Sequence, residues 1–95
     1  MELQESTMRR TRIEIINDML LAMIKLGGRI KPTHLMYKSN LSHALMKDYI
    51  DELISKDLMK ETYERGKKMF EVTQKGREFT LQYRKMKEFQ DAFGL

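Results

Sequence analysis

No cysteine occurs among the 95 residues. Disulfides, thiol nucleophiles and cysteine metal sites are therefore excluded, and the composition suits a reducing cytoplasm. Histidine is scarce: His34 and His43 fall in different short segments with no clustered carboxylate beside either. A zinc site needs three or four ligands at workable spacing, so neither a metal nor a cofactor is expected. Gly27-Gly28 lacks the later glycine and lysine of a phosphate-binding loop. The serines Ser6, Ser39, Ser42 and Ser55 suit caps and turns better than nucleophilic roles. With no catalytic constellation, an enzyme is not expected. Apolar runs stay well short of the roughly 18 residues of a membrane span, so no membrane partner is expected. Glu2 and Glu5 precede the basic trio Arg9, Arg10 and Arg12, and no small-residue cleavage site follows an apolar stretch. That argues against a signal peptide and for a cytoplasmic location.

What is present is charge. Charged residues make up 34% of the chain, against a typical share of about 25%. Hydrophobic residues still reach 41%, so one modest core is affordable; a chain of this length buries roughly 60–65% of its unfolded surface. The nine methionines read as core filler. Net charge is +4, a moderate lean towards polyanions. That figure hides an uneven distribution. From Met19 to Lys47 there is no acid, and Lys25, Arg29, Lys31, Lys38 and Lys47 give +5. Between Asp48 and Glu64, six acids against Lys56 and Lys60 give −4. From Arg65 to Arg77 the net is +4, with Glu71 the single acid. Charge runs are ordinarily solvated surface, unless a fold brings the two basic blocks together.

The hydrophobic spacing supplies the fold. Ile13, Ile16, Met19, Leu20, Met23 and Ile24 form one helical face, predicting a helix from Thr7 to Leu26 capped by Ser6 or Thr7. Gly27-Gly28 ends it. Arg29-Ile30-Lys31 is long enough only to edge a small sheet. Pro32 suits a first helical position and opens a short helix to Lys38. Ser42 then caps a helix over His43–Lys56, with Leu45 or Met46, Tyr49, Ile50, Leu53 and Ile54 inward. Segments Leu58–Glu64 and Met69–Thr73 have strand character, joined by a turn in which Gly66 supplies a positive φ. Thr73 caps a last helix from Gln74 towards Phe93, and Gly76 is tolerated in its first turn. The expected class is α+β, mostly helical: a winged helix-turn-helix in the order α-β-α-α-β-β-α.

In that architecture the second helix of the helix-turn-helix places its N-terminal residues at base edges, and the hairpin lies beside it as a wing. The candidate DNA-binding residues are Ser42, His43, Met46 and Lys47 at the helix start and Arg65, Lys67 and Lys68 at the wing. Arg29, Lys31 and Lys38 complete the basic set. The two basic blocks are expected to unite on one face, with the acidic block mostly elsewhere.

The stretch Met36-Tyr37-Lys38-Ser39-Asn40-Leu41-Ser42-His43-Ala44-Leu45, with Tyr49 and Leu53, resembles the helix-turn-helix of small archaeal winged-helix DNA-binding proteins. These are the ten-kilodalton chromatin-associated type and its predicted-regulator relatives. Phe70-Glu71-Val72-Thr73-Gln74-Lys75-Gly76 resembles the end of their wing and the start of their last helix. The resemblance implies a homodimer on double-stranded DNA, its last helix paired with the partner's in an antiparallel coiled coil. It leads us to expect a DNA-binding domain over residues 1–73 and a dimerising helix over 74–95. Phe79, Met86 and Phe93 repeat every seven residues, with Tyr83 and Phe89 nearby, and are the candidate dimer contacts. The same stripe can also pack on the chain's own first helix. The family's last helix is longer than this one. The expected function is sequence-specific transcriptional regulation or nucleoid-associated architecture. The competing reading is a protein-interaction module on the same scaffold.

Overall fold

The computed structural model describes residues 10–95. Helix α1 spans Arg12–Lys25. Its start is fixed by a reciprocal pair of contacts: the Thr11 hydroxyl accepts the Glu14 N–H at 3.1 Å, and the Glu14 carboxylate accepts the Thr11 N–H at 2.8 Å. This capping box satisfies two otherwise unpaired amides. It moves the helix start from the expected Thr7 to Arg12; Ser6 and Thr7 themselves lie outside the described residues. The face that packs is Ile15, Ile16, Met19, Leu20 and Met23. Ile13, assigned inward from its spacing, is exposed because it falls in the first turn, ahead of the core.

Beyond Gly27 and Gly28, at φ 90° and 101°, the chain enters β1 (Arg29–Ile30) and then α2 (Pro32–Ser39), with Pro32 in its first turn. Asn40 closes α2 in the left-handed region, where asparagine is tolerated. Helix α3 (His43–Ser55) begins at Ser42, whose Oγ accepts the Leu45 N–H at 3.2 Å. Met46, Tyr49 and Leu53 face inward while Leu45 is exposed, which resolves the alternative left by the sequence.

Strands β2 (Met59–Glu64) and β3 (Lys67–Val72) pair antiparallel, and β1 pairs with the other edge of β3, giving the order β1-β3-β2. The hairpin turn is Arg65-Gly66, both at positive φ (54° and 78°), the two-residue form whose twist matches the strands. Strand β3 therefore starts two residues before the expected Met69. Lys67 and Lys68 lie in the ladder, with Lys67 opposite Glu64 and Lys68 opposite Tyr63.

Helix α4 (Gln74–Ala92) is capped by Thr73, whose Oγ1 accepts the Gly76 N–H at 3.0 Å and donates to the Asp57 carbonyl at 2.7 Å. Gly76 is not merely tolerated there. A Cβ at this position would lie 2.2 Å from the Leu58 carbonyl oxygen and 2.8 Å from Val72 Cγ2. The close passage of α4 over the loop before β2 requires glycine.

One core joins these elements, with Met19, Leu20, Met23, Leu35 and Leu53 fully buried at its centre. The first half of α4 belongs to it: Phe79 packs against the core, and its ring stacks on Tyr83 at 6.5 Å. Beyond Tyr83 the helix leaves the core behind, and Met86, Phe89 and Phe93 are exposed. The stripe thus divides, its first half packing within the chain and its second half facing solvent. No described helix is long and apolar enough to cross a membrane.

Candidate nucleic-acid interface

A groove of about 460 Å³ runs between the start of α2, helix α3 and the inner face of the β2–β3 hairpin. His43 and Lys47 reach it from α3, and Lys68 reaches it from β3. The fold thus brings a cation from each basic block to one place. Strand alternation explains why Lys68 alone of the hairpin lysines arrives there. Opposed residues share a face, so Met59, Glu61 and Tyr63 stand with Val72, Phe70 and Lys68 on the core side. Lys67 points to the opposite face, and Arg65 sits at the tip. Tyr63, 67% exposed on the groove face beside Lys68, went unnoticed from sequence. Its position two residues beyond Glu61 in an alternating strand was the available signal.

The other candidates separate. Met46 lines the groove too, but at 4% exposed it forms its floor as part of the core. The Ser42 hydroxyl is engaged as the α3 cap. Arg29 lies at the base of the sheet, four residues of β3 from Lys67, with its Nε 3.5 Å from Glu71. Lys31 is exposed at the cap position of α2. Lys38 lines a different cleft, with Arg10, Asp18 and Lys25.

Most of the acidic block does lie outside the groove, but two of its six acids do not. Asp51 and Glu61 line the same groove as the lysines. Lys47 Nζ stands 3.1 Å from Asp51, and Lys68 Nζ stands 3.7 Å from Glu61 and 5.7 Å over the Phe70 ring. Each groove lysine therefore carries an acid partner, while Arg65 and Lys67 have none among the described residues. Asp51 alone of the α3 acids lines the groove; Glu52 is paired with Arg12, whose guanidinium lies 5.6 Å over Tyr49.

Helix α3 carries no acid in its first turn and no base in its last. Its cations His43 (when protonated) and Lys47 stand nearer the positive end of the helix dipole than Asp48, Asp51 and Glu52 do. That order opposes the arrangement that stabilises helices, and it also sets Lys47 before Asp51, the weaker orientation of an i,i+4 pair. Local stability does not account for it.

The sequence profile of the winged helix-turn-helix family matches residues 9–91. The chain belongs to that family. In its terms α3 is the recognition helix and the β2–β3 hairpin is the wing. Among solved structures, Sso10a-2, a DNA-binding protein from Sulfolobus solfataricus, is similar with a TM-score of 0.72 at 19% identity, covering 88% of this chain and 85% of that one. F93 from STIV, a winged-helix DNA-binding protein, gives 0.69 at 18% identity, covering 86% and 92%. SSV1 F-93 gives 0.63 at 26% identity, covering 90% and 99%. No curated protein sequence matches.

Proposed function

We propose that this winged helix binds double-stranded DNA, with the start of α3 at the major groove and the hairpin tip on the phosphate backbone. The observation that carries the reading is the meeting of His43 and Lys47 with Lys68 in one groove, below a tip carrying Arg65 and Lys67. The uncompensated charge order of α3 supports it, and so do the DNA-binding proteins with this fold. The working unit is a homodimer of the archaeal chromatin-protein type. Phe89 and Phe93, 62% and 68% exposed with ring centroids 5.1 Å apart, form an apolar patch with Met86 that a partner helix would cover. Residues 74–95 then serve as core helix and dimer contact in turn. A nucleoid-associated transcriptional regulator fits this reading.

Selection from random duplexes tests it. A sharp motif supports a regulator, and a flat profile with salt-sensitive binding supports an architectural protein. Affinity that ignores salt refutes both, since counterion release must accompany phosphate contacts. Sedimentation of wild type against Phe89→Asp and Phe93→Asp tests the dimer; a monomeric wild type refutes it. One observation favours a second reading: Asp48 and Asp51 on the exposed side of α3, with both groove lysines paired. A protein partner recovered on α3, with no DNA retained at low salt, would establish the interaction module instead.

A further inference from the structure

Two arginines at the start of α1 reach the two helices of the helix-turn-helix. Arg10 Nη2 donates to the Ser39 carbonyl at 2.9 Å, and its Nη1 donates to Asp18 of α1 at 2.7 Å. Ser39 is the last residue of α2, and a carbonyl at a helix C-terminus has no donor within its own helix. A cation there also meets the negative end of the helix dipole. Arg12 reaches α3 instead. Its Nη2 pairs with the Glu52 carboxylate, and its guanidinium lies 5.6 Å over the Tyr49 ring. Tyr49 is buried, and the Glu52 side chain is 22% exposed. Lys56 stands 4.0 Å from the same carboxylate, but it belongs to the α3 end and joins no second element.

Thr11 stands between the two arginines, and its capping box with Glu14 fixes the backbone from which both side chains leave. The two arms end on either side of the turn over residues 40–42, one on α2 before it and one on α3 after it. Glu52 follows His43 by nine residues, about half a turn round α3 at 3.6 residues per turn. Arg12 therefore holds α3 on the side away from His43 and the groove it lines.

We infer that Arg10 and Arg12 form a two-armed bracket that fixes the helix-turn-helix against α1, and so set the angle at which α3 meets DNA. The second half of this inference rests on the DNA reading; the first does not. Both arginines are positioning residues, acting through α2 and α3. A binding constellation has to be held within about 0.5 Å and 10–20° by the residues that support it. The contacts are partly exposed, so they restrain orientation more than they add stability.

Duplex binding across a salt series, together with amide hydrogen exchange of the free protein, tests it. Arg12→Ala and Glu52→Ala should each weaken DNA binding by about two- to fivefold, the span expected for pairs of this exposure. The sign for Glu52→Ala decides the matter. Removing an acid beside DNA otherwise strengthens binding, whereas loosening α3 weakens it. Arg12→Ala should leave the slope against salt unchanged, and the double variant should bind no more weakly than either single one. In the free protein the α3 amides should exchange about two- to fivefold faster in Arg12→Ala, beyond any change in global stability, while β2 and β3 keep their rates. Arg10→Ala should do the same to the end of α2; wild-type rates there overturn the α2 arm. Stronger or unchanged binding by Glu52→Ala, additive losses in the double variant, or a slope that falls by about 0.9 in Arg12→Ala overturns the positioning role, the last by making Arg12 itself a phosphate contact. If wild type shows no salt-sensitive binding, the DNA reading fails, and unaltered α3 exchange in Arg12→Ala then overturns the bracket on its own.

Discussion

The base and the tip of the wing are built under different rules, although the same two strands form both. At the base the backbone is held from several sides. Val72 N–H donates to the Gly28 carbonyl at 2.9 Å, Thr73 N–H to the Leu58 carbonyl at 3.2 Å, and the Thr73 hydroxyl to the Asp57 carbonyl at 2.7 Å. At the tip nothing packs. A Cβ at Gly66 would meet no atom within 4 Å, and Arg65 and Lys67 are exposed. Residues that hold the fold and residues that can meet a partner are therefore separated along the strand direction. A change at one end should leave the property of the other end intact.

The largest break is expected at the base. Gly76→Ala places a methyl carbon against the Leu58 backbone, which cannot swing aside as a side chain can. A destabilisation of about 3 kcal/mol or more is expected in denaturant titrations, at the upper end of overpacking costs. The folded fraction should keep wild-type DNA affinity. Next comes Thr73→Ala, which removes the α4 cap and the bond to Asp57 together. It should cost about 1–2 kcal/mol, again without changing the salt dependence of DNA binding. Loss of DNA affinity beyond the unfolded fraction in either variant would erase the separation of base from tip.

Much of this base was legible in the sequence. Ser42 and Thr73 each precede an amphipathic stretch, and their hydroxyls do cap α3 and α4. The inward pair Phe70 and Val72 follows from alternation. The requirement for glycine at position 76 was not legible, because the atom it avoids belongs to Leu58, eighteen residues away and close only once the fold has formed. The groove divides in the same way. The Lys47–Asp51 pair is visible as an i,i+4 spacing, whereas Lys68 meets Glu61 only through the hairpin register. Charge blocks counted along the chain cannot separate Lys67 from Lys68, because adjacent strand residues face opposite ways. Met46 sits deeper than its sequence position suggests for a related reason. Its place near the start of α3 suggested base contact, but helical phase puts it on the face shared with Tyr49 and Leu53.

At the tip the expected pattern reverses. Arg65→Ala with Lys67→Ala should leave stability within about 0.5 kcal/mol, as for exposed sites without special geometry. Arg65 sits at φ 54°; alanine is no worse there than arginine, so the turn survives. The slope of log affinity against log salt should fall by about 0.9 for each phosphate that is no longer neutralised, hence by nearly 2 for the pair. An unchanged slope in quantitative binding assays would remove the tip from the interface.

The smallest effect sharpens the comparison, because it concerns the groove between base and tip. Asp51→Asn and Glu61→Gln release Lys47 and Lys68 from their acid partners. These pairs are substantially exposed, and such pairs are worth only about 0.2–1 kcal/mol. Affinity for duplex DNA should therefore rise by no more than about fivefold per variant, with a steeper salt slope as each lysine becomes available to a phosphate. A general gain from removing negative charge would look similar, so the decisive comparison is a double-mutant cycle. If Asp51 acts by holding Lys47, the gain from Asp51→Asn disappears in a Lys47→Ala background. If the gains simply add, the acid acts as diffuse surface charge and the ion pair does not restrain the lysine.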